Sequence, residues 1–308
     1  MSRTAALSGA SGFLGARLAE RLIEHGWTVR ALVRRRADAE RLAALGAETV
    51  CGDLADRAAL EMLTAGALAA VNCAGLTKAR TAAEFLTVNA EGAGGFAAAA
   101  PGQVIHVSSL AARAPELSPY AASKRAGEAA ARAAAGERLA IIRPPVIYGP
   151  GDAATLGLFR MAARAPLAPT PARPAARLAL AHVDDVATAI IDLMERGELT
   201  GVYAVGGARP AGYAWREIIS AAFGAAGRRV PFAPLPASAI RIAGLASELA
   251  GSLCGQARIF TRGKAREMLH DDWSVGESEL APNAPAAKFS LETGFADALA
   301  WYRRAGWI

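Results

Sequence analysis

Cysteine is scarce in this 308-residue chain: Cys51, Cys73 and Cys254 lie far apart, with no CxxC pair. That excludes a disulfide framework and a cysteine-based zinc site. It suits a reducing, cytoplasmic setting with buried or half-buried free thiols. Lysine is also rare. Only Lys78, Lys124, Lys264 and Lys288 stand among the 34 basic residues, so arginine carries most of the formal charge of +6. Together with heavy alanine use, this reads as a coding bias rather than a nucleic-acid footprint, and no basic run interleaved with aromatics occurs. No apolar run reaches the roughly 18 residues of a membrane span, and Arg3 is followed by only a short apolar stretch before Gly9, unlike a signal peptide. Charged residues make up only 20% against 53% hydrophobic. That leaves ample material for a core and excludes a disordered chain. The length allows two domains, or one large domain with an appended lobe.

What is present is rhythm. Short apolar runs predict strands at 4–8, 27–33, 49–51, 68–73, 103–107 and 139–143. Helical patterns at 12–25, 37–45, 57–64, 82–100 and 120–135 fall between them. Strict alternation of this kind implies right-handed crossovers and a doubly wound parallel α/β sheet with helices on both faces. After Tyr148-Gly149-Pro150-Gly151 the rhythm changes. The proline-rich stretch 165–174 cannot be a regular helix or a central strand. A strand at 176–181, a helix at 184–195 and a strand at 202–205 follow, and then helices joined by Gly and Pro turns. The expected division is a nucleotide-binding domain at 1–150, completed by 176–205, and a smaller, discontinuous, mostly helical lobe from 151–175 and 206–308.

The stretch Gly9-Ala10-Ser11-Gly12-Phe13-Leu14-Gly15 lies between the first strand and the first helix. At that position a tight glycine turn lets backbone N–H groups and a helix N-terminus face a pyrophosphate. The second strand ends in Leu32-Val33 and is followed by Arg34, Arg35 and Arg36, where an NAD site usually carries an acidic residue. An arginine there attracts a 2′-phosphate, which favours NADP(H). A solvated charge run is the alternative, and it suits Arg36 best. Asp53, after the third strand, either approaches the adenine or caps the next helix.

Tyr120 and Lys124, four residues apart, share one face of a helix. A nearby ammonium favours the phenolate of a tyrosine, so Tyr120 can exchange a proton with a carbonyl or alcohol oxygen near neutral pH. Ser108 and Ser109 end the strand 103–107, at the edge where open parallel sheets bind ligands. Ser109 is the better candidate to reach that oxygen, because the first of the pair points more naturally into the core.

These elements resemble the extended, epimerase/dehydratase-like branch of the short-chain dehydrogenase/reductase superfamily. The resemblance runs over nearly the whole chain. It includes Gly9–Gly15, Gly52-Asp53-Leu54, Asn72-Cys73-Ala74-Gly75, Val88 to Gly92, Val107-Ser108-Ser109, Pro119 to Lys124, Arg143 to Asp152 and His182 to Val186. It implies that Tyr120 is the acid/base, that Lys124 binds the nicotinamide ribose and tunes Tyr120, and that Ser109 orients substrate. It further implies cofactor contacts at Gly9, Ser11, Gly12, Phe13, Leu14, Gly15, Arg34, Asp53, Leu54, Ala74, Gly75, Asn89, Pro144 and Val146. His182 reads as a structural strand-end residue. Epimerases of this branch carry an acid where Arg34 stands, which weakens a nucleotide-sugar epimerase or dehydratase reading.

Segments 75–79, 108–124, 264–275 and 301–307 are also similar to a narrower group, the bacterial ceramide-pathway reductases of 3-oxo sphingoid bases or 3-oxo ceramides. That similarity implies a lipid substrate met at the inner membrane face. Segment 237–255 places Ile242, Leu245, Leu249 and Leu253 on one side of a helix. It is expected to be a packed lobe helix, a wall of an acyl-chain groove, or a helix lying on a membrane. Thr77, Lys78 and Arg80 either meet a polar headgroup or form a solvated loop. A non-enzymatic nucleotide-binding subunit is the remaining alternative, and it would have no need of the Tyr120/Lys124/Ser109 set.

Overall fold

The structure, a computed structural model, describes residues 3–197 and 200–308. The central sheet contains β1 (Thr4–Ser8), β2 (Thr28–Val33), β3 (Glu48–Cys51), β4 (Ala69–Asn72), β5 (Gln103–Val107), β6 (Leu139–Arg143) and a seventh strand, Gly201–Ala204. Its order is seventh strand, β6, β5, β4, β1, β2, β3. Every pairing from β3 through β6 is parallel. The helices between strands are α1 (Phe13–Glu24), α2 (Arg36–Ala44), α3 (Arg57–Thr64), α4 (Ala82–Leu86), α5 (Gly92–Ala99) and α6 (Pro119–Ala135). Strand β1 is buried along its whole length, the consequence of helices covering both faces. On one face, Leu60, Leu63 and Phe96 pack with Leu32, Val104, Leu139 and Ile141.

The chain clusters into two compact units, 1–143 with 187–203, and 144–186 with 204–308. Segments 144–150 and 176–186, expected with the nucleotide domain, cluster with the second unit. That unit holds α7 (Leu156–Arg164), the start of α8 (Val183–Arg196), α9 (Trp215–Ala225), α10 (Ala237–Leu253), α11 (Arg262–Leu269) and α12 (Leu291–Arg304). Its core is aromatic: Phe159 and Phe295 stack edge to face at 5.1 Å, and Tyr148 meets Phe295 at 4.9 Å.

Several expectations are corrected. The helix at 82–100 is broken by a π-helical turn, Thr87–Glu91, in which Asn89 is buried. The strand at 176–181 is two pieces with different partners. Arg177–Leu178 pairs with Asp272–Trp273, and Leu180–His182 pairs with Val146–Tyr148. The proline-rich stretch is neither helix nor central strand, as expected; it contributes an edge strand, Ala168–Pro171, to a two-stranded sheet with Phe232–Leu235. Such a sheet has only edges, where proline costs little. All three cysteines are free, but Cys51 and Cys254 are exposed, because they end an edge strand and a surface helix. No helix among the described residues is long and apolar enough to cross a membrane.

Candidate active site

The strand order reverses between β1 and β4, the switch point at whose C-terminal side open parallel sheets bind ligands. The glycine turn leaves β1 there. Gly9 has φ +73°, and a Cβ on it would lie 2.6 Å from the Ala74 nitrogen after β4. A Cβ on Gly15 would collide with the carbonyl oxygen of Gly9, so α1 must start hard against the turn. Phe13 and Leu14 open α1, and the exposed Ser11 and Gly12 precede them. Leu54, half-buried, packs where a side chain on Gly92 would stand. Gly75 is bare where a Cβ would lie 3.6 Å from Lys124 Nζ. Close backbone beside a cation, together with a glycine turn feeding a helix N-terminus, fits a dinucleotide.

The arginine run divides by partner. Arg35 makes a two-pronged pair with Asp38 at 2.8 and 3.0 Å, and this hydrogen-bonding, foremost, holds the Asp38 carboxyl below its usual range. Arg36 pairs with Glu40 at 2.9 Å. Arg34 is exposed and forms no ion pair among the described residues. Asp53 is exposed and closes a local turn by accepting from Ala55 N–H. It does not cap α3, because Asp56 does so through Ala59 N–H at 3.0 Å.

Helix α6 begins at a Ser118 cap with Pro119 in its first turn, which fixes where Tyr120 and Lys124 emerge. Tyr120 is half-buried, and its ring meets Phe85 edge-on at 6.0 Å. Ser123 clamps the same turn by donating to the Tyr120 carbonyl at 2.7 Å. Lys124 is buried, and its ammonium donates to the Val107 carbonyl at 2.7 Å. Ser109, half-buried, accepts from Ala111 N–H at 3.2 Å, so its own hydrogen remains to be offered to a substrate oxygen. Ser108 turns inward, donating to Glu128 at 2.6 Å. Pro144 and Val146 belong to the second unit, where Val146 is exposed.

Burial, opposed by the nearby Cys73 and Glu128, brings the Lys124 ammonium down to about 8. Below that pH the lysine is charged, and above it the cation is lost. Turnover at saturating cofactor should therefore be flat below pH 8 and fall about tenfold per unit above it. A profile flat to pH 10 would contradict this.

Apart from Asn89, sequence reasoning missed the polar groups that hold this edge together. Ser8, Asn72 and His106 stand in register on β1, β4 and β5. The Ser8 hydroxyl donates to Asn72 Oδ1 at 2.6 Å, and Asn72 Nδ2 lies 3.3 Å from His106 Nδ1. Burial pushes His106 down to about 3, so it stays neutral and accepts from that amide. Asn89 accepts from Leu76 N–H at 2.7 Å and donates to the Leu76 carbonyl and Ser123 Oγ. Glu128 accepts from the Arg143 guanidinium at 2.7 and 2.6 Å. The available signal was a polar residue at or next to the C-terminal end of β1, β4, β5 and β6. His182 is structural: it is buried, stacked on Phe289 at 3.8 Å, with Nε2 3.3 Å from Asp297. Arg80, a headgroup candidate, is taken up by Glu84.

The family model for the NAD dependent epimerase/dehydratase family matches residues 5–206. A curated ceramide reductase of Caulobacter vibrioides is 44% identical over 306 residues, covering 98% of this chain and 95% of that one. Among solved structures, gox2253 superposes with a TM-score of 0.77 at 24% identity, covering 99% of both chains. The Bordetella bronchiseptica enzyme WbmH, in complex with NAD+, superposes at 0.72 and 18% identity, covering 99% of this chain and 100% of that one. At these identities the two structures speak for the fold alone.

Proposed function

The chain belongs to the NAD dependent epimerase/dehydratase family, and on that premise we propose that it is an NADPH-dependent reductase converting a ketone to an alcohol on a hydrophobic substrate, a 3-oxo sphingoid base or 3-oxo ceramide. The observation that carries this reading is the 44% identity, over nearly the whole of both chains, to a protein named for ceramide reduction. The helix turn that carries Tyr120 and Lys124, with the Lys124 ammonium on the Val107 carbonyl two residues before Ser109, supports it. The first compact unit carries the cofactor on the glycine turn, Arg34, Asp53 and the Ala74-Gly75 edge, and the second supplies the substrate lobe.

Bound nicotinamide supplies a hydride to the carbonyl carbon. The side chains do the rest. The Ser109 hydroxyl donates to the carbonyl oxygen and fixes it. The Tyr120 hydroxyl delivers the proton that turns it into an alcohol. Lys124, anchored on Val107, keeps a positive charge beside that proton transfer and holds the ribose. A long-chain 3-oxo lipid resides in a bilayer, so the enzyme works as a peripheral protein at the cytoplasmic face.

The test is NADPH oxidation across 3-oxo lipids, steroids, flavonoids and sugar nucleotides. Stoichiometric NADPH consumption is expected with a long-chain 3-oxo lipid, and activity should fall as the chain is shortened. Conversion of a sugar nucleotide without net cofactor consumption would instead make the chain an epimerase. In the same assay Arg34→Glu should cut the preference for NADPH over NADH by about tenfold or more, because a charge-assisted contact contributes roughly 1.5–3 kcal/mol. Equal affinity of the unaltered chain for both cofactors would remove the NADP assignment.

A further inference from the structure

Helix α10 is built the wrong way round for a packed helix. The side it turns to the body carries small residues. A Cβ on Gly244 would lie 2.8 Å from the Thr261 carbonyl and 2.9 Å from Ala265 Cβ, so α11 presses directly on the α10 backbone. Ile240 is the one large side chain of α10 in that seam, packed with Ala265 and Leu269. The large aliphatic residues point to water: Ile242 is 66% exposed, Leu249 55% and Leu253 89%, with Leu245 at 39%. Their spacing sets them along one stripe of a 17-residue helix, about 25 Å long. Ile259, just beyond the helix, extends the apolar surface.

The charges around the stripe are predominantly positive. Between residues 237 and 270 stand Arg241, Arg258, Arg262, Lys264 and Arg266 against only Glu248 and Glu267. Both carboxylates are already engaged, Glu248 by Arg262 at 2.8 Å and Glu267 by Lys264 at 2.9 Å. Arg241, Arg258 and Arg266 are exposed and form no ion pair among the described residues. Arg241 precedes the stripe and Arg258 follows it.

We propose that the outward face of α10 docks the protein on an anionic lipid surface, its aliphatic stripe entering the acyl boundary and the flanking arginines meeting lipid phosphates. A bilayer supplies both things this face lacks, an apolar layer and negative charge. Pairing of this face with the same face of a second copy would set Arg241, Arg258 and Arg266 against one another, with Glu248 and Glu267 already engaged. The proposal deepens the lipid-substrate reading, but its test needs no substrate, so each can fail without the other.

The purified full-length chain is sedimented with vesicles of phosphatidylcholine, alone and with a third phosphatidylglycerol. Binding to the anionic vesicles is expected, weakened by salt. Leu249→Ser combined with Leu253→Ser should reduce it at least about tenfold, with thermal melting unchanged because both side chains face water. Arg241→Gln combined with Arg258→Gln should weaken anionic binding by roughly fivefold per arginine and leave neutral vesicles unaffected. Absence of vesicle binding at low salt, or binding indifferent to the leucine pair, overturns the proposal. Self-association in velocity sedimentation that the leucine pair abolishes, without vesicle binding, would make a second copy the occupant and overturn it equally.

Discussion

Replacing Tyr120 by phenylalanine should lower turnover by roughly two to four orders of magnitude while cofactor still binds. The substitution is conservative in shape. The ring keeps its edge-on contact with Phe85, and the backbone carbonyl of residue 120 still receives the Ser123 hydroxyl. What disappears is the only change the chemistry registers, a hydroxyl at the start of α6. Lys124→Met should do broader damage, because that side chain is buried and its ammonium is tied to Val107. Cofactor affinity and turnover should then fall together. Steady-state turnover with cofactor affinity measured by fluorescence separates the two patterns. Near-full activity in Tyr120→Phe would mean that another group delivers the proton.

Glu128→Gln should destabilise the fold by about 3 kcal/mol, because it removes the carboxylate charge that two nitrogens of the Arg143 guanidinium meet in a mostly desolvated position. The Glu128 and Arg143 side chains are 5% and 13% exposed, and both carboxylate oxygens accept from the guanidinium. The same carboxylate receives Ser108, so it ties β5, β6 and α6 together directly beneath the catalytic edge. Its charge also supports the Lys124 ammonium. In Glu128→Gln the alkaline limb of the pH profile should therefore move below its position near 8. Replacing Glu128 and Arg143 together with apolar residues of similar volume should recover most of the lost stability. Urea unfolding of the three variants tests this, and a loss under about 1 kcal/mol in Glu128→Gln would show the pair to be weakly coupled.

The nucleotide-binding half was legible because its physics is local. A strand buried on both faces must be mostly apolar, as Ala5-Ala6-Leu7 in β1 and Val104-Ile105 in β5 are, and a turn pressed against a helix start must be glycine, as at Gly9 and Gly15. Tyr120 and Lys124 were legible because helical spacing alone puts them on one face. Other features depend on partners distant in sequence. Nothing near Glu128 announces that Arg143 will meet it, and the π turn at Thr87–Glu91 serves contacts that Asn89 makes with Leu76 and Ser123. The split at 176–181 follows from two different partner strands, and local pattern cannot choose between partners. The outward aliphatic face of α10 reads the same in sequence whether it is buried or bare, because periodicity gives a stripe but not its neighbour.

The seventh strand, Gly201–Ala204, has a consequence for how the protein is made. It closes the sheet beside β6, yet the chain between them includes α7 and all of α8. On the ribosome, β1 to β6 emerge and can pair while the last strand is still untranslated. For that interval β6 presents a bare line of N–H and C=O groups, the kind of edge that recruits strands from other chains. Fast elongation through residues 144–200 would shorten the exposure, and a pause there would lengthen it. Codon usage in that stretch, rather than any residue of the active site, would then set how much nascent protein is lost to aggregation.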